Sequence, residues 1–261
     1  MGEVAILFAM SSIPQIAIAR GDTLTDQAEA VLRESLMSGV FKPGQTLTIR
    51  ALSSLLNVSV TPAKDAMTRL ISERVLEWGP RRCALVPALT LRTIDEIYTI
   101  RLALEATAAV AAIDDINEKG IVELRKIQEK LTTALERKNY KSVLINNRDF
   151  HFAIYKRAKM PMLLKMIEGL WLRLGPSLNL LYATYPKRPM GEREGTGFHA
   201  EIIDSIASRD RIGIRRHLIA DLTTGRDRLE LIVSIEEQNS SVGSAVPPAR
   251  RRRVASIGPA T

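Results

Sequence analysis

The 261-residue chain holds three histidines, His151, His199 and His217, all in its second half. Neutral imidazole suits Zn²⁺ and other first-row metals. Asn147 lies four residues before His151, a spacing that places both on one face of a helix. Asp149, though adjacent, points away from that face and is left out. Arg101 offers a planar fork that matches a carboxylate, with a salt bridge to Glu105 as the competing use. These types and spacings point to a site for a metal or a small acid. A metal-free pocket whose groups hydrogen-bond one another is the alternative. A second reactive group lies far upstream: Arg50, Ser59, Thr61, Lys64, Arg81 and Arg82. Cations and hydroxyls are the donors that phosphate oxygens and guanine edges accept from.

The elements that must carry these residues can be read from periodicity. Residues 24–38 form a helix with Ala28, Val31, Leu32 and Leu36 on one face, closed by Gly39 and a turn at Lys42-Pro43-Gly44. Thr48 caps a short second helix whose apolar face is Leu52, Leu55 and Leu56. Asn57 can take the left-handed conformation and turns the chain. A third helix follows, capped by Ser59 or Thr61, with Pro62 at its first position. Ala63, Ala66, Met67, Leu70 and Ile71 form its buried stripe. Arg74–Trp78 and Cys83–Val86 read as strands joined by the basic tip Gly79-Pro80-Arg81-Arg82. Two short helices, a tight turn and a basic hairpin describe a winged helix-turn-helix, whose second helix enters the major groove of DNA. Beyond Leu91 the pattern is helical, near 92–115, 117–137, 139–158, 161–183, 195–208 and 210–236. The breaks are Pro161, Tyr185 to Gly195, and Ser208-Arg209-Asp210. The fold class is therefore mainly α: residues 1–22 a flexible extension, 23–89 the winged domain, 90–238 a helical bundle, and 239–261 a disordered basic tail.

Composition agrees. The chain is 46% hydrophobic, 25% charged and only 5% aromatic, with a formal net charge of +8 from 37 Lys+Arg and 29 Asp+Glu. A basic balance suits a polyanionic partner. Cys83 is the single cysteine. That excludes an intrachain disulfide and a cysteine-based zinc module, and fits a reducing compartment. No apolar run approaches the roughly 20 residues of a membrane span. Met1 to Ala19 lacks a basic start and a clear cleavage site, so a cytoplasmic location is expected.

The stretch Leu36 to Val86 resembles the GntR superfamily of bacterial transcriptional regulators. The resemblance rests on Gly39-Val40-Phe41-Lys42-Pro43-Gly44-Gln45-Thr46-Leu47 and on Val58-Ser59-Val60-Thr61-Pro62-Ala63-Lys64-Asp65-Ala66-Met67-Thr68-Arg69-Leu70. It implies that Arg50, Ser59, Thr61 and Lys64 occupy positions the family uses to touch DNA. The chain departs at Val60, often Arg in the family, and at Cys83, usually Gly in the wing. Residues 92–236 resemble the all-helical FCD type of C-terminal domain. The matching segments are Ile94 to Glu105, Asn147-Arg148-Asp149-Phe150-His151, and His199 through Asp210. This implies a divalent metal, Zn²⁺ or similar, that holds a carboxylate effector. The implied ligands are Asn147, His151, His199 and Asp221. The last falls where the family usually has His, and His217, one turn earlier, is a substitute. The resemblance further implies a homodimer on a palindromic operator in double-stranded DNA, with repression relieved by a small organic acid. A metal-dependent hydrolase is the rival, but no general base stands at motif spacing and no H-E-x-x-H occurs, so no catalytic residue is expected. A nonspecific nucleic-acid-binding protein is the other rival, distinguished by lack of preference for one operator.

Overall fold

The computed structural model describes residues 23–183 and 197–243. The extension before Thr23, the Tyr185–Gly195 break and the tail beyond Gly243 lie outside the described residues. Helix α1 (Leu24–Met37) begins with a capping box. The Thr23 hydroxyl accepts from the Asp26 N–H, and the Asp26 carboxylate accepts from the Thr23 N–H. Strand β1 (Thr46–Leu47) leads into α2 (Ile49–Leu56), capped by Thr48, whose hydroxyl accepts from Ala51. Asn57 ends α2 in the left-handed conformation, φ 51° and ψ 43°, the conformation its sequence position predicts.

Helix α3 (Val60–Ser72) starts two residues before Pro62, which is therefore its third residue. Proline is tolerated there because the first four N–H groups have no helical partner. Ser59 is the N-cap, without a side-chain cap bond, and Pro62, Ala63, Ala66, Met67 and Leu70 are buried. Strands β2 (Glu77–Trp78) and β3 (Ala84–Leu85) complete an antiparallel sheet in the order β1-β3-β2, with Leu47 opposite Ala84 and Trp78 opposite Ala84 on the other edge. The strands are shorter than expected. Arg74 has φ 57°, and the amides of Arg74 and Val75 close α3 through the carbonyls of Ile71 and Leu70. The β1 strand was not anticipated; two residues are too few to show alternation.

Pro80–Arg82 form a 3-10 turn at the wing tip, with Arg81 and Arg82 both left-handed at φ 57° and 58°. Cys83 belongs to this turn rather than to a strand: its N–H and its thiol both bond the Pro80 carbonyl. Gly79 makes room for it, since a Cβ at 79 would lie 2.8 Å from the Cys83 sulfur.

The bundle comprises α4 (Leu91–Ala112), α5 (Glu118–Glu136), α6 (Tyr140–Tyr155), α7 (Pro161–Ala183), α8 (His199–Ala207) and α9 (Arg211–Gly243). A short 3-10 turn, Lys156–Ala158, extends α6. Helix α9 runs to Gly243, past the boundary expected near Gln238. The helices share one core that includes Ile94, Phe150, Ile154, Leu174, Ile202, Leu218 and Leu229. A second core fills the winged domain, built from Leu32, Leu36, Leu52, Met67, Leu70 and Val86, and it takes in Leu172 of α7.

Candidate functional site

The chemistry foreseen in the second half converges inside the bundle. His151 on α6, His199 at the start of α8 and Asp221 on α9 each offer a ligand atom, all within 4.8 Å of one another. Both histidines are 1% exposed. Hydrogen-bond direction decides what these atoms present. The Gln128 amide oxygen lies 2.6 Å from His199 Nδ1, so that nitrogen carries the proton and Nε2 keeps a lone pair. His199 Nε2 is buried and has no hydrogen-bond partner. Burial holds the ring down to about 3, outweighing the opposite pull of Asp221, so it is neutral at pH 7.

His151 is oriented by a relay. The Tyr155 hydroxyl donates to Glu105 Oε2 at 2.6 Å, which leaves its oxygen to accept from His151 Nδ1 at 3.1 Å. Burial, reinforced by the charge of Glu105, raises the Tyr155 phenol well above its ordinary value and keeps it a donor. His151 Nε2 then faces Asp221 Oδ2 at 3.2 Å. Burial alone would raise the Asp221 carboxyl. Contact with His151, the fields of His199 and His151, and the Phe198 N–H together hold it at about 2. That N–H reaches the other carboxylate oxygen, Oδ1, at 3.0 Å. With His151 Nε2 unprotonated three acceptors face one another; a proton on that nitrogen, which lets His151 donate to Asp221, or a metal ion satisfies them. This donor set fits a divalent metal: two imidazoles each fixed through the far nitrogen, plus a carboxylate.

Asn147 lines the same cavity, whose volume is about 80 Å³. Tyr98, Arg101, Trp171, Gly197, Thr224 and Arg228 line it as well. Arg101 makes the salt bridge weighed for it and also stands at the cavity wall. Its Nε donates to Glu105 at 2.6 Å, and it lies 4.7 Å and 4.5 Å from the Tyr98 and Trp171 rings. His217 is not among the converging groups. Its Nδ1 lies 3.0 Å from the Ser205 hydroxyl and 3.2 Å from the Glu201 carbonyl, on the α8 side. Asp149 pairs with Arg148 instead of turning inward. Gln128, Tyr155, Trp171 and Gly197 were not singled out from sequence, whereas the Arg101–Glu105 pairing was. Tyr155 follows His151 by four residues, the spacing that had linked Asn147 to His151, and was the one signal available.

Gly197 adopts φ +63°, and a Cβ there would collide with Asp221 Oδ1. Glycine is thus required where this turn closes over the carboxylate.

The upstream group is exposed, as contact with DNA would require. Arg50, Ser59, Thr61, Lys64, Arg81 and Arg82 all face solvent. Among the described residues, none of these four cations is in an ion pair. Ser59, Thr61 and Lys64 cluster at the start of α3, where the helix dipole adds partial positive charge. The opposite side of α3 is fastened to α1: Arg69 pairs with Asp26 at 2.7 Å and Glu29 at 2.9 Å, and Glu73 pairs with Arg33 at 2.5 Å.

A small three-stranded winged helix-turn-helix in front of a helical bundle with a buried polar pocket defines a one-component DNA-binding regulator. Comparison with known proteins agrees: the pattern of the bacterial regulatory proteins, gntR family, matches residues 24–86 and that of the FCD domain matches 96–224. The chain belongs to the GntR family of transcriptional regulators, with an FCD C-terminal domain, and this is a family of regulators and not of enzymes. It is 35% identical over 200 residues to the HTH-type transcriptional regulator McbR of Escherichia coli (strain K12), spanning 77% of this chain and 89% of that one. The solved structure of E. coli McbR/YncC superposes with a TM-score of 0.72 at 32% identity, covering 84% of this chain and 99% of that one. The HTH-type transcriptional repressor RspR of E. coli (strain K12) is 22% identical, spanning 83% and 92%.

Proposed function

We propose that this regulator binds a palindromic operator as a homodimer, represses transcription, and is released by a small carboxylate held in the bundle on a divalent metal. The reading is carried by the three inward-facing acceptors of His151, His199 and Asp221, with the buried His199 Nε2 left without a partner. Asn147 is the fourth donor. A bound metal would supply a fixed positive charge for the effector carboxylate. The chain's own residues do the rest. Gln128 and Tyr155 fix the two rings, the Phe198 N–H steadies Asp221, and Arg101 supplies a cation at the cavity wall. A cavity of about 80 Å³ favours a short-chain acid.

On the DNA side, Arg50, Ser59, Thr61 and Lys64 read the major groove or its phosphates, and Arg81 and Arg82 reach from the wing. Val60, 52% exposed at the start of α3, offers methyl groups where the family resemblance implies Arg, which favours thymine over guanine there. Two recognition helices about 34 Å apart, or a multiple of that, match a two-fold operator. The relative named a repressor supports the sign of control. Action on DNA places the protein in the cytoplasm. No helix of the described residues is long and apolar enough to cross a membrane.

Two measurements test this. Elemental analysis should find metal in the parent protein and lose it in the His151→Ala/His199→Ala double variant; equal metal in both removes the ligand set. A thermal-shift screen of short carboxylates on the zinc-loaded protein should find one that raises Tm and weakens binding to a duplex selected from a random library. Stabilisation with unchanged duplex affinity would remove the effector role.

A further inference from the structure

Two bundle helices wall the pocket with one residue and grip the DNA-binding domain with the next. On α7, Trp171 lines the cavity, and its indole N–H donates to Glu105 Oε1 at 3.1 Å. Leu172 points the other way and is fully buried in the core of the winged domain. Three residues on, Gly175 meets the end of α1. A Cβ there would collide with the Leu36 carbonyl oxygen and approach Met37 Cα to 2.9 Å. Pro176, inside the helix, has no N–H for the Leu172 carbonyl, so α7 is weakened at this turn. On α6, Asn147 lines the cavity while Arg148 pairs with Glu34 of α1 at 2.6 Å, the two side chains 14% and 25% exposed.

We infer that Arg148 and Leu172 are positioning residues that set the DNA-binding domain according to the state of the pocket. The inference rests on the pocket being the effector site. A ligand shifts an equilibrium only by its difference in affinity for two arrangements. A ligand that engages Asn147, or draws the Trp171 indole off Glu105, favours a changed placement of α6 or α7. The neighbouring residues carry that change to α1. Helix α1 is ion-paired to α3 through Arg69 and Arg33, so the recognition helix follows. By reciprocity, DNA must change the affinity of the pocket by the same factor.

The test uses the full chain, a duplex it selects from a random library, and Zn²⁺ as the probe. Zn²⁺ affinity is measured without duplex and at duplex saturation. In the parent the two values should differ about fivefold or more, and in Glu34→Gln and Leu172→Val by less than about twofold. The duplex-free affinity should be the same in all three. A parent-sized ratio in both variants, or no difference in the parent, would overturn the inference. If Zn²⁺ fails to bind, the metal reading falls and hydrogen exchange decides this one. Duplex binding should then alter amide protection at residues 144–151 and 171–175 in the parent and not in Glu34→Gln. Unaltered protection in the parent sinks the coupling.

Discussion

Acidifying the metal-free protein from about pH 7 to about pH 5 should destabilise it through His199. Burial holds this ring at about 3 in the fold, against 6.5 when it is free. The unfolded chain takes up the proton and the fold refuses it. The stabilisation is therefore complete above about 6.5 and is lost progressively as the pH falls toward about 3. Between pH 7 and pH 5 the unfolded ring gains most of one proton and the folded ring almost none, a difference of about 2 kcal/mol. For a domain of this size that corresponds to about 4–8 °C in Tm. Asp221 adds nothing in this window, because its effect lies between 3.8 and about 2. Thermal unfolding by circular dichroism, after metal removal with EDTA, measures the drop in the parent and in His199→Gln. The parent should lose about 4–8 °C more than the variant. Identical pH dependence in the two proteins would refute the argument that a buried neutral imidazole sits there.

Three further outcomes are expected. Lys64→Ala and Arg50→Ala should each weaken duplex binding and, if the contact is to phosphate, flatten the plot of log K against log salt by about one unit, with Tm unchanged; an unaltered slope and affinity would take the residue out of the interface. Gly197→Ala places a methyl group against Asp221 Oδ1 and should weaken metal binding about 10–100-fold; isothermal titration with Zn²⁺ that matches the parent would show that the carboxylate is not a ligand. Tyr155→Phe removes the oxygen that receives His151 Nδ1 and should lower Zn²⁺ affinity about 10–100-fold, whereas an unchanged value would mean the relay does not orient the ring.

Much of this architecture was legible because local chemistry and tertiary structure agree. Thr48 caps α2 and Asn57 turns left-handed as their side chains dictate. The bundle helices follow their apolar spacing to within a few residues at most ends. The misreadings arose where long-range contacts decide. Arg74 to Leu76 look β-prone, yet they finish α3. Cys83 looks like a strand residue, yet it packs on Gly79 and bonds Pro80. Helix α9 outlasts the apolar pattern that was used to end it. At the site, family resemblance brought Asn147, His151, His199 and Asp221 together. Periodicity could not have paired His199 with Gln128, 71 positions away, or Tyr155 with Glu105, 50 positions away. Nor could it say that Glu105 gathers donors from Arg101, Tyr155 and Trp171 at once. His217 was kept as a substitute because one helical turn separates it from Asp221, but that turn aims it at Ser205.

The contact at Gly175 has a mechanical meaning. Interfaces made by long side chains behave like cushions, since rotamer changes soak up small shifts before they reach the backbone. Here main chain rests on main chain, with no side chain in between to yield. A displacement of α7 at this point therefore presses directly on the end of α1. At Gly175 the joint is stiff, and the proline beside it leaves α7 room to bend.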